Sequence, residues 1–182
     1  YNAWKKGLTG FPFIADSEIS TASAIGDING DGTKELVFGT VGGMLYAITN
    51  SADEHLTYLQ PDTIRDSPAL ADLDMDGTFE IIFVSGNSTS SILNVINAQG
   101  EDYNGFPIDI TDKIVSGPAV ADLDNDSSIE IVLTTTEGQL LVIDENGNFK
   151  DGFPFETLGS LKYPATLGDL DRDNDLEVIA GN

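Results

Sequence analysis

The sequence contains no cysteine, which excludes disulfides and thiolate zinc sites alike. Basic residues are nearly as scarce: eight lysines and arginines stand against 31 aspartates and glutamates, for a formal net charge of −23. So large a negative excess argues against nucleic acid or an anionic membrane surface as partner. The single histidine, His55, lies in the polar stretch SADEH, where an exposed, non-catalytic residue is expected, in an irregular segment. No apolar run is long enough to cross a bilayer. No signal peptide is recognisable, and the chain opens with Tyr1 rather than Met. Neither a Gly-x-Ser-x-Gly elbow nor a phosphate-binding glycine loop occurs, so nothing points to a serine hydrolase or a nucleotide site.

The acids are concentrated in four stretches. DLDMDGTFE (72–80) has near copies in DINGDGTKE (27–35), DLDNDSSIE (122–130) and DLDRDNDLE (169–177). Their first, third, fifth and ninth positions hold 15 of the 31 acids. A hard cation such as Ca²⁺ takes six to eight oxygens at about 2.3–2.6 Å. In the second copy Asp72, Asp74 and Asp76 turn inward, Gly77 permits a tight bend, Thr78 offers a carbonyl and Glu80 returns a last carboxylate. An EF-hand opens the same way but needs an acid at position twelve. That position holds Phe38, Phe83, Leu133 and Ala180. The runs that follow, such as ELVFGT and EIIFVS, are β-branched and aromatic, so they predict strands rather than helices. Each acidic loop therefore joins two strands.

The loops begin 45, 50 and 47 residues apart, the length of one four-stranded propeller blade. Gly-Phe-Pro recurs at 10–12, 105–107 and 152–154, its proline always 15 residues before the next loop. Proline suits the start of an outer strand, where its missing N–H is not needed. TYLQP (57–61) replaces it once, and an irregular outer strand is expected there. One blade reads as GPAVADL (117–123), the loop, EIVLTTT (130–136), a turn at Glu137-Gly138, QLLVIDE (139–145) and GFPFET (152–157). Small residues precede every loop, namely Gly26, Ala71, Ala121 and Gly168, as a crowded inner strand requires. The second strands are apolar on both faces, as expected of a sheet packed between two neighbours.

An apolar strand, DxDxDGxxE and a second apolar strand together resemble the FG-GAP/VCBS repeats of integrin-like β-propellers. The resemblance covers nearly the whole chain and implies an all-β fold. The expected architecture is a propeller segment of four-stranded antiparallel blades, each with a calcium loop between its first and second strands. Blades are expected at 15–62, 63–110 and 111–157, with 1–14 ending a preceding blade and 158–182 beginning another. Both ends then cut a blade, and the chain is expected to be part of a longer polypeptide. Up to four Ca²⁺ ions are expected. Their ligands would be Asp27, Asn29, Asp31, the Thr33 carbonyl and Glu35 in site one, and Asp72, Asp74, Asp76, the Thr78 carbonyl and Glu80 in site two. Site three would use Asp122, Asp124, Asp126, the Ser128 carbonyl and Glu130. Site four would use Asp169, Asp171, Asp173, the Asp175 carbonyl and Glu177. Site two ranks as best formed. Site three ranks last, because Ser127 stands where glycine is usual and serine tolerates a left-handed backbone poorly.

The resemblance further implies a non-catalytic, extracellular or cell-surface scaffold or recognition module, of adhesion type, within a larger protein. Its partners would be the remaining blades of the ring and a protein or carbohydrate ligand, with no nucleic acid and no membrane insertion. In integrin-like relatives the metal loops occupy one rim and ligands meet the other. Two further readings stay open: an accessory propeller of a secreted enzyme such as a polysaccharide lyase or peptidase, and a purely structural spacer or filament subunit. Trp4 and Tyr163 are candidates for sugar stacking or for packing. Asn87-Ser88-Thr89 and Asn125-Asp126-Ser127 match the glycosylation pattern.

Overall fold

The structure is a computed structural model and describes residues 9–181. Trp4 and the Asn2-Ala3 segment lie outside the described residues. The fold is all-β, with antiparallel sheets following one another along the chain. The first sheet pairs β1 (Ala24–Gly26), β2 (Glu35–Gly39), β3 (Met44–Ile48) and β4 (Glu54–Leu59) in sequence order. The third does the same with β10 (Ala119–Ala121), β11 (Glu130–Thr134), β12 (Gln139–Ile143) and β13 (Phe155–Glu156). β14 (Thr166–Gly168) and β15 (Glu177–Ile179) form a last pair.

The second sheet departs from the expected four strands. β5 (Thr63–Ile64) and β6 (Ala69–Ala71) both pair with β7 (Glu80–Gly86), which continues to β8 (Ser91–Ile96) and β9 (Ile108–Ile110). Its inner edge is one strand broken at 65–68, where Pro68 lacks the N–H a ladder needs. Single bridges from Ile19 to Thr40 and from Ile114 to Thr135 repeat the same break in the first and third sheets. The strand at 54–59 also differs from expectation. It runs unbroken over 54–59, and its irregularity is a bulge at exposed His55, which is left unpaired between Glu54 opposite Ile48 and Leu56 opposite Ala47, rather than at 57–61.

Alternating side chains explain how the sheets stack. Along β7, Ile81 and Phe83 enter a core shared with Val37, Leu45 and Ala47 of the first sheet. Ile82 and Val84 enter a core shared with Ile131, Leu133 and Leu141 of the third. A strand packed on both faces is expected to be apolar on both, and this one is so from Ile81 to Val84. The first strands meet side by side: β6 lies against β1 and β10, and β10 against β14. The close approach explains the small residue at Gly26, where a Cβ would stand 2.7 Å from Leu70 Cδ1. At Gly168 no such neighbour exists among the described residues.

The stacking predicts a sharp contrast between two apolar residues. Phe83 is fully buried, whereas Leu59 is 67% exposed. Phe83→Ala is expected to cost about 3–5 kcal/mol through lost contacts and a cavity. Leu59→Ala should stay within about 0.5 kcal/mol. Chemical denaturation of the two variants measures the difference.

Candidate metal centres

Each acidic loop bridges the first and second strands of a sheet, and the ladder sets its ends. Gly26 faces Glu35, Ala71 faces Glu80, Ala121 faces Glu130 and Gly168 faces Glu177 across the strand pair. The ninth-position glutamate is thus the first residue of the second strand. Its carboxylate reaches back over the loop, and Oε2 accepts the N–H of the second loop residue. The donors are Ile28 at 3.2 Å, Leu73 at 2.8 Å, Leu123 at 2.8 Å and Leu170 at 2.7 Å. Glu35, Glu80 and Glu130 are buried at 1%, 3% and 0% exposure.

The first-position aspartates hold the bend. Asp27, Asp72 and Asp122 each accept two N–H groups, from the fifth and sixth residues, at 2.8–3.1 Å. Asp169 instead accepts from the fourth residue, Arg172, at 2.6 Å. Two loop positions have left-handed backbone. The sixth was expected: Gly32, Gly77, Ser127 and Asn174 have φ of 85°, 92°, 75° and 79°. The fourth was not: Gly30, Met75, Asn125 and Arg172 have φ of 72°, 59°, 56° and 70°. Met75 and Arg172 give no sequence hint, since left-handed backbone favours glycine and asparagine.

The structure brings the first, third and ninth carboxylates together in three loops. Asp72, Asp74 and Glu80 form one group, Asp122, Asp124 and Glu130 a second, and Asp169, Asp171 and Glu177 a third, with one oxygen from each within 4.8 Å of the others. The fifth-position acids Asp31, Asp76, Asp126 and Asp173 instead each commit an oxygen to the N–H of Thr33, Thr78, Ser128 or Asp175, at 2.7–3.1 Å. Those hydrogen bonds hold Asp31 and Asp126 below the usual carboxylate range, and for Asp76 the Thr78 hydroxyl does most of this. In the first loop Asn29 replaces the third acid, and its Oδ1 accepts the Asp31 N–H at 3.0 Å.

Several features fit a divalent cation. A carboxylate has about four lone-pair sites, so one or two N–H bonds leave room for a metal. Among the described residues Glu35 Oε1 is buried without a hydrogen-bond partner, and a buried anionic oxygen is costly unless a cation neutralises it. Burial and the charges of Asp74 and Asp76 push the Glu80 carboxyl up to about 7, against the opposing hydrogen bond from Leu73. Asp72, Asp74 and Glu80 offer only hard oxygens, which suit Ca²⁺ or Mg²⁺ rather than a soft metal.

Two further residues border the sites. Tyr103 and Lys150 each stand two residues before a Gly-Phe-Pro. Each donates its N–H to the third strand, to Val95 O and to Val142 O, both at 2.9 Å. Burial, then the charges of Asp74 and Glu80, push the Tyr103 phenol up to about 12. At the third loop Lys150 Nζ donates to Glu130 Oε1 at 2.9 Å and to Asp124 Oδ2 at 3.0 Å, with Asp126 Oδ2 at 4.0 Å. Both carboxylates hold its ammonium well above the ordinary lysine value, Glu130 most strongly. Their fixed offset from Gly-Phe-Pro is a signal that the sequence carried.

No family model matches the chain, and no curated protein matches it. Solved structures do. The biofilm matrix protein Bap1 of V. cholerae superposes with a TM-score of 0.62 at 21% identity, over 94% of this chain and 30% of that one. The computationally designed Ika4 protein gives 0.60 at 14%, over 96% and 98%. BBS1N, solved in complex with ARL6DN, gives 0.59 at 16%, over 95% and 53%. At these identities the likeness shows the fold alone, and that fold is β-propeller-like. The chain spans less than a third of Bap1 and about half of BBS1N.

The raised Glu80 carboxyl sets a pH dependence. Its folded value, about 7, lies above the ordinary value of 4.5. The folded state therefore holds this proton more tightly. That contribution is complete below about pH 4.5 and is lost as pH rises through about 7. Asp66, also raised by burial, acts in the same direction. With chelator present, the protein should melt higher at pH 5.5 than at pH 7.5, and Glu80→Gln should remove most of the difference. With calcium the order should reverse, because metal binding needs the ionised carboxylate. Melting curves at the two pH values decide.

Proposed function

We propose that the chain is a calcium-stabilised segment of an FG-GAP/VCBS-type β-propeller. It acts as a non-catalytic scaffold or recognition module of a larger secreted or cell-surface protein. The carrying observation is the recurrence of one carboxylate triad at the same connection in successive sheets, Asp72/Asp74/Glu80, Asp122/Asp124/Glu130 and Asp169/Asp171/Glu177. In this reading each ion pulls the loop onto the start of the second strand, where the glutamate is already pinned. Calcium suits it better than magnesium, which keeps its waters and seldom accepts an all-protein cage.

The surroundings support recognition away from the metal. Arg65, Asp66, Ser67, Pro68, Ser116 and Gly117 line a cleft at the ends of β6 and β10 opposite the loops. A ligand there would meet a stiffened frame without touching the ions. Similarity to a biofilm matrix protein supports an extracellular setting. A BBS1N structure that holds a second protein supports protein binding as the mode.

Extracellular calcium modules bind at roughly 10⁻⁴–10⁻³ M. At about 1 mM calcium, two such triads, Asp72/Asp74/Glu80 and Asp169/Asp171/Glu177, would add roughly 1–3 kcal/mol in total by mass action. The melting temperature should then rise by roughly 2–12 °C over the chelated protein. Equimolar magnesium should reproduce little of it, which separates specific binding from charge screening. Equal melting in calcium and in chelator would reject the reading.

A further inference from the structure

We propose that Lys150 is a tethered counter-cation that closes the third site to divalent metal, so that calcium loads its neighbours but not the loop at 122–130. The inference rests on the calcium reading above. Lys150 Nζ lies 2.9 Å from Glu130 Oε1 and 3.0 Å from Asp124 Oδ2. These are two of the three residues whose oxygens would surround an ion there. Glu130 Oε2 is already held by the Leu123 N–H at 2.8 Å. With Oε1 on the ammonium, both oxygens of this buried carboxylate have partners. Glu35 Oε1, in the first loop, has none.

A divalent ion binding among the same oxygens would have to expel the ammonium or accept a like charge within a few ångströms, and both are unfavourable in a partly desolvated site. Lys150 reaches the loop from the segment before β13, where its own N–H donates to Val142 O, so expelling the ammonium would also release the tie between that segment and the loop. At the matching position of the second sheet stands Tyr103, a neutral phenol that supplies no positive charge to Asp72, Asp74 and Glu80. The second sheet thus takes its cation from solution, whereas the third carries its own.

Hydrogen exchange of the full chain, in 1 mM calcium and in chelator, tests this. Calcium should slow exchange across 72–80 by roughly two- to tenfold and leave 122–130 unchanged. In Lys150→Met, with Lys150→Gln as a second variant, 122–130 should lose protection in chelator and regain it with calcium. Calorimetric titration should count one more ion per chain in these variants. A wild-type response at 122–130 equal to that at 72–80 would overturn the proposal without either variant. So would variants whose 122–130 segment ignores calcium while 72–80 responds. If 72–80 itself fails to respond, the calcium reading falls and this inference falls with it.

Discussion

One carboxylate holds each of these loops shut. The ninth-position glutamate begins the second strand, opposite the last residue of the first, and its Oε2 accepts the N–H of loop residue two. A single hydrogen bond thereby ties both ends of a sharp turn to the ladder that frames them. The geometry places an anionic group in the interior: Glu35, Glu80 and Glu130 are almost wholly buried. One N–H per glutamate offsets only part of the desolvation cost of such a group. The remaining negative charge, with two aspartates close by, is what makes a cation the natural completion of the turn.

The copies meet that requirement differently. The second loop gathers three carboxylates beside a neutral tyrosine. The third gathers three and supplies a lysine. The first has an asparagine at its third position and leaves one buried glutamate oxygen unpartnered. The fourth is more exposed and closes its bend through a different N–H. The backbone is nearly constant while the charge balance changes. Repeats of one design therefore differ in the carboxylate charge they leave for a cation without any change of fold.

Much of this was legible in the sequence, because local signals and tertiary need agree. β7 is apolar from Ile81 to Val84 because both its faces meet another sheet, and that run is visible in EIIFVSG. The acids at alternate positions and the strand-forming run after them located the loops. The break in the inner edge was not legible: β5 is a two-residue pairing whose partners, Ser85 and Gly86, lie 21 and 23 residues further along the chain. The left-handed fourth position was hidden at Met75 and Arg172, where the surrounding hydrogen bonds override residue preference. Lys150 was missed because it meets Glu130 only after the outer strand folds back, twenty residues along the chain.

The proposed function depends on a divalent ion completing the buried carboxylate groups. Anomalous diffraction from crystals of the full chain grown in millimolar calcium tests it most directly. The predicted result is a peak between Asp72, Asp74 and Glu80, with their oxygens about 2.3–2.6 Å away. A well-ordered 72–80 loop with no peak at that calcium concentration would contradict it.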